Sequence, residues 1–499
     1  MPYTSAMSIT TSHSLHTVAQ VRAMEKAALK SHGMSGFDLM QRAGRAAFAL
    51  LRRRWPGARR IAVLCGNGNN GGDGYVLAKL AGASQLAIEV LTLAPPAPGT
   101  EAAFAFADWL AAGGTVGAGD TDWPQADVYV DALFGIGLSR ALEGQAAAWV
   151  ARLNDSAQPV LALDVPSGLD ADTGAAHGPV VRAATTITFV ARKRGLYTGT
   201  ARDCCGEIVF DALGVDDADF ASDAQLLDTG DLHGALGPRA RDAHKGRFGH
   251  VLAIGGDTGM AGAIRLAGEA ALRVGAGLVS VATQAAHIPA INAARPELMA
   301  HAVGGLQELQ ALLERANVIA IGPGLDQRAW GHALWRTAIA CGKPLVLDAD
   351  ALNLLAREPL ALPAQCVLTP HPGEAARLLG CDAATIERDR YAAARALAQK
   401  HQVVAVLKGA GTLIANAQGE IAVCPWGNPG MASGGMGDVL TGVIAGLLAQ
   451  DHTAWEAARL GVALHAQAGD VAASSGEAGT LASDLFAPLR RLRNNLPPQ

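Results

Sequence analysis

The sequence predicts an α/β protein of two domains, each a mostly parallel sheet with helices on both faces. Three observations carry this. Short β-branched runs alternate with amphipathic stretches of helix length along most of the chain. The 499 residues exceed what one ordinary core holds. The alternation breaks at residues 214–232, GVDDADFASDAQLLDTGDL, an acidic, polar stretch with no long apolar period. The junction is placed there, with domains expected over 15–218 and 228–497.

In the first half, strands are expected at Ile61–Cys65, Leu86–Leu93, Asp127–Phe134, Val160–Val165, Thr185–Val190 and Glu207–Leu213, with a helix over Thr100–Ala112. In the second, HKGRFGHVLAIGG opens a new series. Its strands are His250–Ile254, Leu278–Ala282, Val318–Ile321, Pro344–Leu347, Cys366–Leu368 and Val403–Leu407. Gly411–Ala415 and Glu420–Cys424 flank ANAQG and read as a β-hairpin. Helices at Gly437–Gln450, Thr453–Ser474 and about Leu481–Arg493 close the chain.

Composition narrows the function classes. Half the residues are hydrophobic and only 17% are charged, which suits a well-buried enzyme rather than a disordered chain. A net charge of −5 argues against a nucleic-acid partner. The one basic cluster, Arg52–Arg54 with Arg59 and Arg60, reads as a helix end whose cations meet the negative dipole terminus. Seven scattered cysteines form no C-x-x-C, so neither a zinc site nor a disulfide framework is indicated, and a reducing cytoplasm is expected. The N-terminal stretch MPYTSAMSITTSHSLHT has no apolar core and reads as a tail rather than a signal peptide. No apolar run reaches the roughly 18 residues of a membrane span. Small-molecule substrates and a homo-oligomer are the expected partners, with no nucleic acid and no membrane.

Three loops of the first half follow strands, and parallel-sheet geometry gathers them at one edge. The first, CGNGNNGGDG (65–74), satisfies the G-x-G-x-x-G dinucleotide fingerprint, yet asparagines and Asp73 sit among its glycines. Asp73 beside a pyrophosphate is repulsive unless a cation intervenes. Glu89 falls inside a strand rather than at its end, where a ribose-binding acid belongs. Three readings stay open: a pyrophosphate cradle, a tight turn capped by Asn and Asp, and a polar-ligand or cation site. The second loop, VDALFGIGLSR, places Asp131 near a strand end before Gly135-Ile-Gly137. The third, LDVPSGLDADTG, carries Asp164, Ser167, Asp170 and Asp172. Asn70, Asp131 and Ser167 offer hard oxygens to a cation. Asp164 is a candidate acid or base. Taken singly, each reads more readily as a loop cap; the gathering of all three loops at one sheet edge weakens that reading.

NNGGDG, VDALFGIGL and ALDVPSGLDADTG, in that order, resemble the NAD(P)H-hydrate epimerase family over roughly Leu15–Val215. The resemblance implies a Rossmann-like three-layer domain that binds a nicotinamide cofactor hydrated at its reduced ring. It implies that Asn69, Asn70, Gly71, Gly72 and Asp73, with Gly135, Ile136, Gly137, Leu138, Ser139, Arg140 and Ala141, contact the hydrate. Asn70, Asp131 and Ser167 would hold potassium, and Asp164 would contact substrate as the catalytic acid/base. Asn67 stands where the family loop is expected to carry proline.

In the second half, GNPGMASGGMGDVLTG sets Gly434, Gly435 and Gly437 before a helix starting near Asp438. Backbone N–H groups and the helix dipole there form an anion hole for a phosphoryl group. Asp438 at its mouth can take a proton from an attacking hydroxyl, or simply cap the helix. LKGAGT (407–412) ends a strand with a lysine and a glycine turn suited to nucleotide contacts, without the P-loop pattern. LTPHPGE places His371 and Glu374 at a strand-to-helix turn, where Glu374 can organise a hydrated magnesium. LDADALNLL offers Asp348, Asp350 and Asn353, of which the last two read as helix initiation as readily as catalysis.

The order HKGRFGHVLAIGG, GAGLVSV, IGPGL, LDADALN, TPHPGE, KGAGT and GGMGD resembles the ADP/ATP-dependent NAD(P)H-hydrate dehydratase family over about Leu232–Pro488. The resemblance implies a ribokinase-like α/β/α domain. Ala263, Gly322, His371 and Asp438 would bind the hydrate. Lys408, Gly409, Ala410, Gly411, Thr412 and Gly437 would bind the adenine nucleotide, and ADP is favoured as co-substrate. Met260 stands where that family often has an aromatic. Together the two resemblances imply a bifunctional metabolite-repair enzyme. The alternative is a small-molecule kinase, for a vitamin alcohol, joined to a non-catalytic nucleotide-binding module.

Overall fold

The computed structural model describes residues 13–31, 33–118, 123–138 and 140–496, without the side chains of 231–233. The chain divides into two compact units, Met1–Ala224 and Gln225–Gln499.

The first unit is built on six strands: β1 (Arg60–Cys65), β2 (Ala87–Thr92), β3 (Val128–Ala132), β4 (Val160–Leu163), β5 (Thr185–Phe189) and β6 (Glu207–Asp211). All are parallel, in the order β2-β1-β3-β4-β5-β6. Both faces are covered, so the strands are apolar on both sides. Ile61, Val63 and Cys65 face a core shared with helices Gly36–Arg54, Asn69–Ala83 and Glu101–Ala111. Ala62 and Leu64 face Trp149, Val150 and Leu153 of helix Gly144–Asn154. The chain leaves β1 for β2 on one side and returns to β3 on the other. This reversal opens a crevice beyond the strand ends, the usual ligand position in such sheets.

In the second unit, the strands from His250 on are β7 (His250–Ile254), β8 (Leu278–Thr283), β9 (Met299–Ala302), β10 (Val318–Ile321), β11 (Leu345–Leu347), β12 (Cys366–Leu368), β13 (Val404–Leu407), β14 (Leu413–Ala415) and β15 (Ile421–Val423). They lie in the order β15-β14-β13-β12-β11-β10-β7-β8-β9. All pairings are parallel except the hairpin at the β15 end, where β13 pairs β14 and β14 pairs β15 antiparallel. The expected hairpin is therefore present. β9 was not expected: its four residues MAHA are half-buried or exposed and give no apolar run. The closing helices are Met436–Leu448, Ala454–Ala472 and Phe486–Arg493, the last preceded by one 3₁₀ turn.

Helix Met436–Leu448 lies almost backbone to backbone on helix Ala261–Arg273. A Cβ at Gly442 would come within 1.9 Å of the Ala267 carbonyl oxygen, and one at Gly446 within 2.8 Å of that of Ala271. Around this contact Val439, Val443, Ala270 and Ala271 are fully buried. No helix among the described residues is long and apolar enough to cross a membrane.

Candidate functional site

Each unit carries one concentration of buried charge at the carboxyl edge of its sheet. In the first unit a cavity of about 600 Å³ opens there, lined by Asn69, Asn70, Asp73, Gly135, Ile136, Gly137, Leu138, Arg140 and Asp164 among others. The glycine loop after β1 owes its composition to the close passage of chain. A Cβ at Gly66 would meet the Leu133 carbonyl oxygen at 1.9 Å, and one at Gly71 would meet that of Gly66 at 2.0 Å. Helix Asn69–Ala83 starts from Gly68 with no side-chain cap. The reading of Asp73 as a cap is therefore corrected: it lies one turn inside the helix and faces the cavity.

Asp164 follows β4 in the left-handed region, φ 65°, which turns its carboxylate back into the sheet edge. There it accepts a hydrogen bond from Lys193 Nζ at 2.5 Å, and Lys193 also donates to the Phe189 carbonyl. Lys193 is 1% exposed. Glu25, Asp73 and Glu101 line the same cavity. Burial, followed by the charge of Asp164, pushes Glu25 up; burial, followed by Asp164 and Glu25, pushes Asp73 well up. Burial and mutual repulsion therefore favour the protonated forms of Glu25 and Asp73 beside the Asp164–Lys193 pair.

Asp131 and Ser167 meet at the same edge. Ser167 donates from Oγ at 2.6 Å and from its amide at 2.8 Å, and its hydroxyl oxygen accepts the Phe134 amide at 2.9 Å. Burial pushes Asp131 up to about 6, against these hydrogen bonds. Asn70 is buried, and neither its amide oxygen nor its amide nitrogen has a partner. A Cβ at Gly135 would lie 3.0 Å from Asp164 Oδ2 and 3.4 Å from Asn70 Oδ1, so these two side chains converge on that loop. Ala141 is half-buried beside the loop, and Ser139 lies outside the described residues.

The second unit gathers Asp348 after β11, His371 and Glu374 after β12, Lys408 after β13, and Asp438. Lys408 Nζ donates to Asp348 Oδ1 at 2.7 Å and stands 3.9 Å from Glu374 Oε2. Thr441 donates to Asp348 Oδ2 at 2.9 Å. Burial works against the Asp348 charge, but the Lys408 ammonium and these hydrogen bonds hold its carboxyl below the ordinary range. Glu374 is pushed up by burial, with Lys408 opposing. Its Oε2 accepts the His371 amide at 2.8 Å, while His371 Nδ1 accepts the Gly373 amide at 3.0 Å, closing the start of helix Pro372–Leu379.

Helix Met436–Leu448 begins after Gly435, so Asp438 sits in its first turn and is not the cap. Burial, then the Asp348 charge, pushes Asp438 up to about 7. Gly437 lies over the ion pair: a Cβ there would be 3.3 Å from Lys408 Nζ and 3.5 Å from Asp348 Oδ2. Gly322 belongs to the same edge, where a Cβ would strike the Asp348 carbonyl oxygen at 1.8 Å. Ala263, in the first turn of its helix, faces Gly324 just beyond. The turn from Gly409 to Thr412 is held from below by Arg390, 1% exposed, which donates to the Leu407 and Lys408 carbonyls. Thr412 Oγ1 donates to the Gly409 carbonyl at 3.0 Å, and Ala410 stands exposed between the glycines. Asp350 starts its helix and accepts the Asp326 amide, and Asn353 accepts from Arg377; both have structural partners.

Comparison with known proteins fits this pairing of sites. Residues 36–195 match the family described as YjeF-related protein N-terminus, and residues 251–491 match the family described as NAD(P)H-hydrate dehydratase. The bifunctional NAD(P)H-hydrate repair enzyme of Coxiella burnetii is 47% identical over 487 residues, covering 96% of this chain and 99% of its own. That of Escherichia coli K12 is also 47% identical, covering 97% and 94%. The chain belongs to the bifunctional NAD(P)H-hydrate repair enzymes. A solved ribokinase-like superfamily protein of Enterococcus faecalis V583 is 31% identical with a TM-score of 0.52, covering 55% of this chain and 97% of its own. Within the repair-enzyme fold, sequence reasoning had missed Lys193 and Glu25 in the first site. It had also missed His465, buried with Nε2 unpartnered and pushed down to about 4 by burial. A lysine just past a strand end, in VARKRG, was the one available signal for the first.

Proposed function

We propose that residues 15–218 interconvert the R and S hydrates of NADH and NADPH, and that residues 228–497 dehydrate the S form with ADP. The observation that carries the reading is Asp438, a carboxyl shifted to about 7 at the mouth of a glycine-flanked helix N-terminus. At neutral pH such a group is poised to accept a proton. It takes the proton of the hydrate's hydroxyl as that oxygen bonds to the terminal phosphorus of ADP and AMP leaves. The amides preceding Val439 and the helix dipole stabilise the charge spread over the phosphoryl oxygens. The ring-nitrogen lone pair then expels phosphate, and loss of a proton from the neighbouring carbon restores the reduced ring. Lys408, fixed by Asp348, holds positive charge beside this point, and the turn Gly409–Thr412 takes the nucleotide. Glu374 would hold a hydrated magnesium, which supplies further charge neutralisation at the phosphates.

In the first unit, Asp164 moves the hydroxyl proton while the carbon centre opens and recloses, with Lys193 fixing its carboxylate. The unpartnered amide of Asn70, with Asp131 and Ser167, suits potassium, which would supply a fixed positive charge at the loop. Seven free cysteines suit a reducing cytoplasm, where we place the enzyme, and we expect it to act as a homo-oligomer.

The test supplies each epimer of hydrated NADH with the full-length protein and ADP, and follows recovery of the reduced-ring absorbance. Both epimers should be converted, with AMP and phosphate released in equal amounts. Accumulation of a phosphorylated alcohol without the reduced ring would sink the dehydratase reading. An R epimer that is never consumed would sink the epimerase reading.

A further inference from the structure

A second cavity, of about 530 Å³, lies within the second unit and shares no residue with the candidate site. Its wall is drawn from Leu236–Arg239, the end of helix Ala261–Arg273, Arg295, Glu297 and the end of helix Phe486–Arg493. Five guanidinium groups line it: Arg239, Arg273, Arg295, Arg490 and Arg493. Two carboxylates, Glu269 and Glu297, accompany them.

The charge does not balance among the described residues. Glu269, 1% exposed, is shared by Arg265, Arg273 and Arg295 at 3.4, 3.0 and 2.5 Å. Glu297 is a weak partner, 3.8 Å from Arg295 and largely exposed. Arg239 and Arg493 have neutral acceptors. Arg239 donates to the Gly275 carbonyl and Arg493 to the Val274 carbonyl, and both reach Gln450 Oε1, at 3.4 and 3.3 Å. Those carbonyls end helix Ala261–Arg273, so capping a negative dipole terminus accounts for two of the five arginines. It does not account for Arg490, which is exposed at the rim. Nor does it account for Arg295 Nε, a buried donor with no partner. The lowering of Arg493 by burial and then by the charge of Arg239 agrees with a surplus of positive charge.

We propose that this cavity is a binding site for a small phosphorylated metabolite carrying at least two negative charges. Guanidinium forks match phosphate oxygens two at a time, and the exposed Arg490 with the surplus of guanidinium over carboxylate along the wall supplies donors and charge for them. The volume admits a ligand of mononucleotide size. The proposal is independent of the repair reaction, since none of these residues belongs to the proposed catalytic or nucleotide sites.

The test is equilibrium dialysis of full-length protein against labelled pyrophosphate, for the wild type, Arg490→Gln and Arg490→Glu. Arg490 is exposed, so both variants should fold, checked by an unchanged melting temperature and an unchanged KM for ADP. One saturable site per chain beyond the nucleotide site is expected, weakened about tenfold in Arg490→Gln, the size of losing one charge-assisted contact, and lost in Arg490→Glu. Absence of saturable binding in the wild type overturns the proposal. So does binding of equal strength in all three proteins, which would report the nucleotide site alone.

Discussion

The two charged centres use the same parts and connect them differently. Each has a lysine just past a strand end, an aspartate bonded to it, and further carboxyls pushed up by burial. In the first unit Lys193 bonds Asp164, the residue assigned the proton transfer, and burial with the Asp164 charge pushes Glu25 and Asp73 up beside it. In the second, Lys408 bonds Asp348, and the assigned base, Asp438, is the one left with a carboxyl near 7. Which acid the lysine takes decides which acids are left without a cation to offset burial. Ion pairing fixes the aspartate carboxylate in place, which suits a group that must meet the hydroxyl proton at one point. An unpaired one suits a base that accepts its proton only when charge shifts to the phosphoryl group.

The largest effect that would break this contrast is expected from Asp438→Asn. Dehydration should fall by roughly 10²–10⁴-fold while ADP binding changes little, as calorimetry would show. If turnover survives, Asp438 is not the base. Next, Asp164→Ala should abolish conversion of the R hydrate and leave dehydration of the S hydrate intact, read in the same absorbance assay with each epimer. Lys193→Met tests the pairing itself: with Asp164 left alone in a buried site, the first unit should lose roughly 3 kcal/mol on denaturant unfolding. An equal loss of epimerase rate in a variant that unfolds normally would instead make the lysine's role electrostatic.

A pH profile sharpens the comparison further. Asp438 works deprotonated and its carboxyl is raised, so protonation as pH falls through about 7 should remove the base. Dehydration kcat/KM should drop about tenfold per pH unit below that point, and the limb should vanish in the residual activity of Asp438→Asn. The smallest effect concerns the glycine loop. Gly66→Ala, facing a backbone carbonyl, should cost about 1–3 kcal/mol in stability, whereas Gly68→Ala, with open space around its Cβ position but at the helix N-cap, should cost under about 1 kcal/mol.

Much of the fold was legible because period and punctuation agree. Strands β7, β10 and β12 match their expected bounds, and others shift by a residue or two where the ends fray. β9 was not legible because its side chains are not buried as a run. In the sites, Asp164 and Asp438 stand inside compact local motifs and could be read. Lys193 lies 29 positions beyond Asp164 and meets it only through the left-handed turn at Asp164 and the parallel step from β4 to β5. Glu25 comes from a helix before the first strand, with no motif to link it to the loops. The arginine-lined cavity draws on positions from 239 to 493 and leaves no local trace.

The near contact of Gly442 with the Ala267 carbonyl has a consequence for how this enzyme can change over time. The helix that carries Asp438 has no room to slide or roll on its neighbour, because the interface is backbone rather than adaptable side chain. Accommodation of a different nucleotide or ring therefore falls to the loops at its mouth. Sequence drift should be rich in the turn around Ala410 and poor at positions 442 and 446, where a single methyl group would displace the base itself.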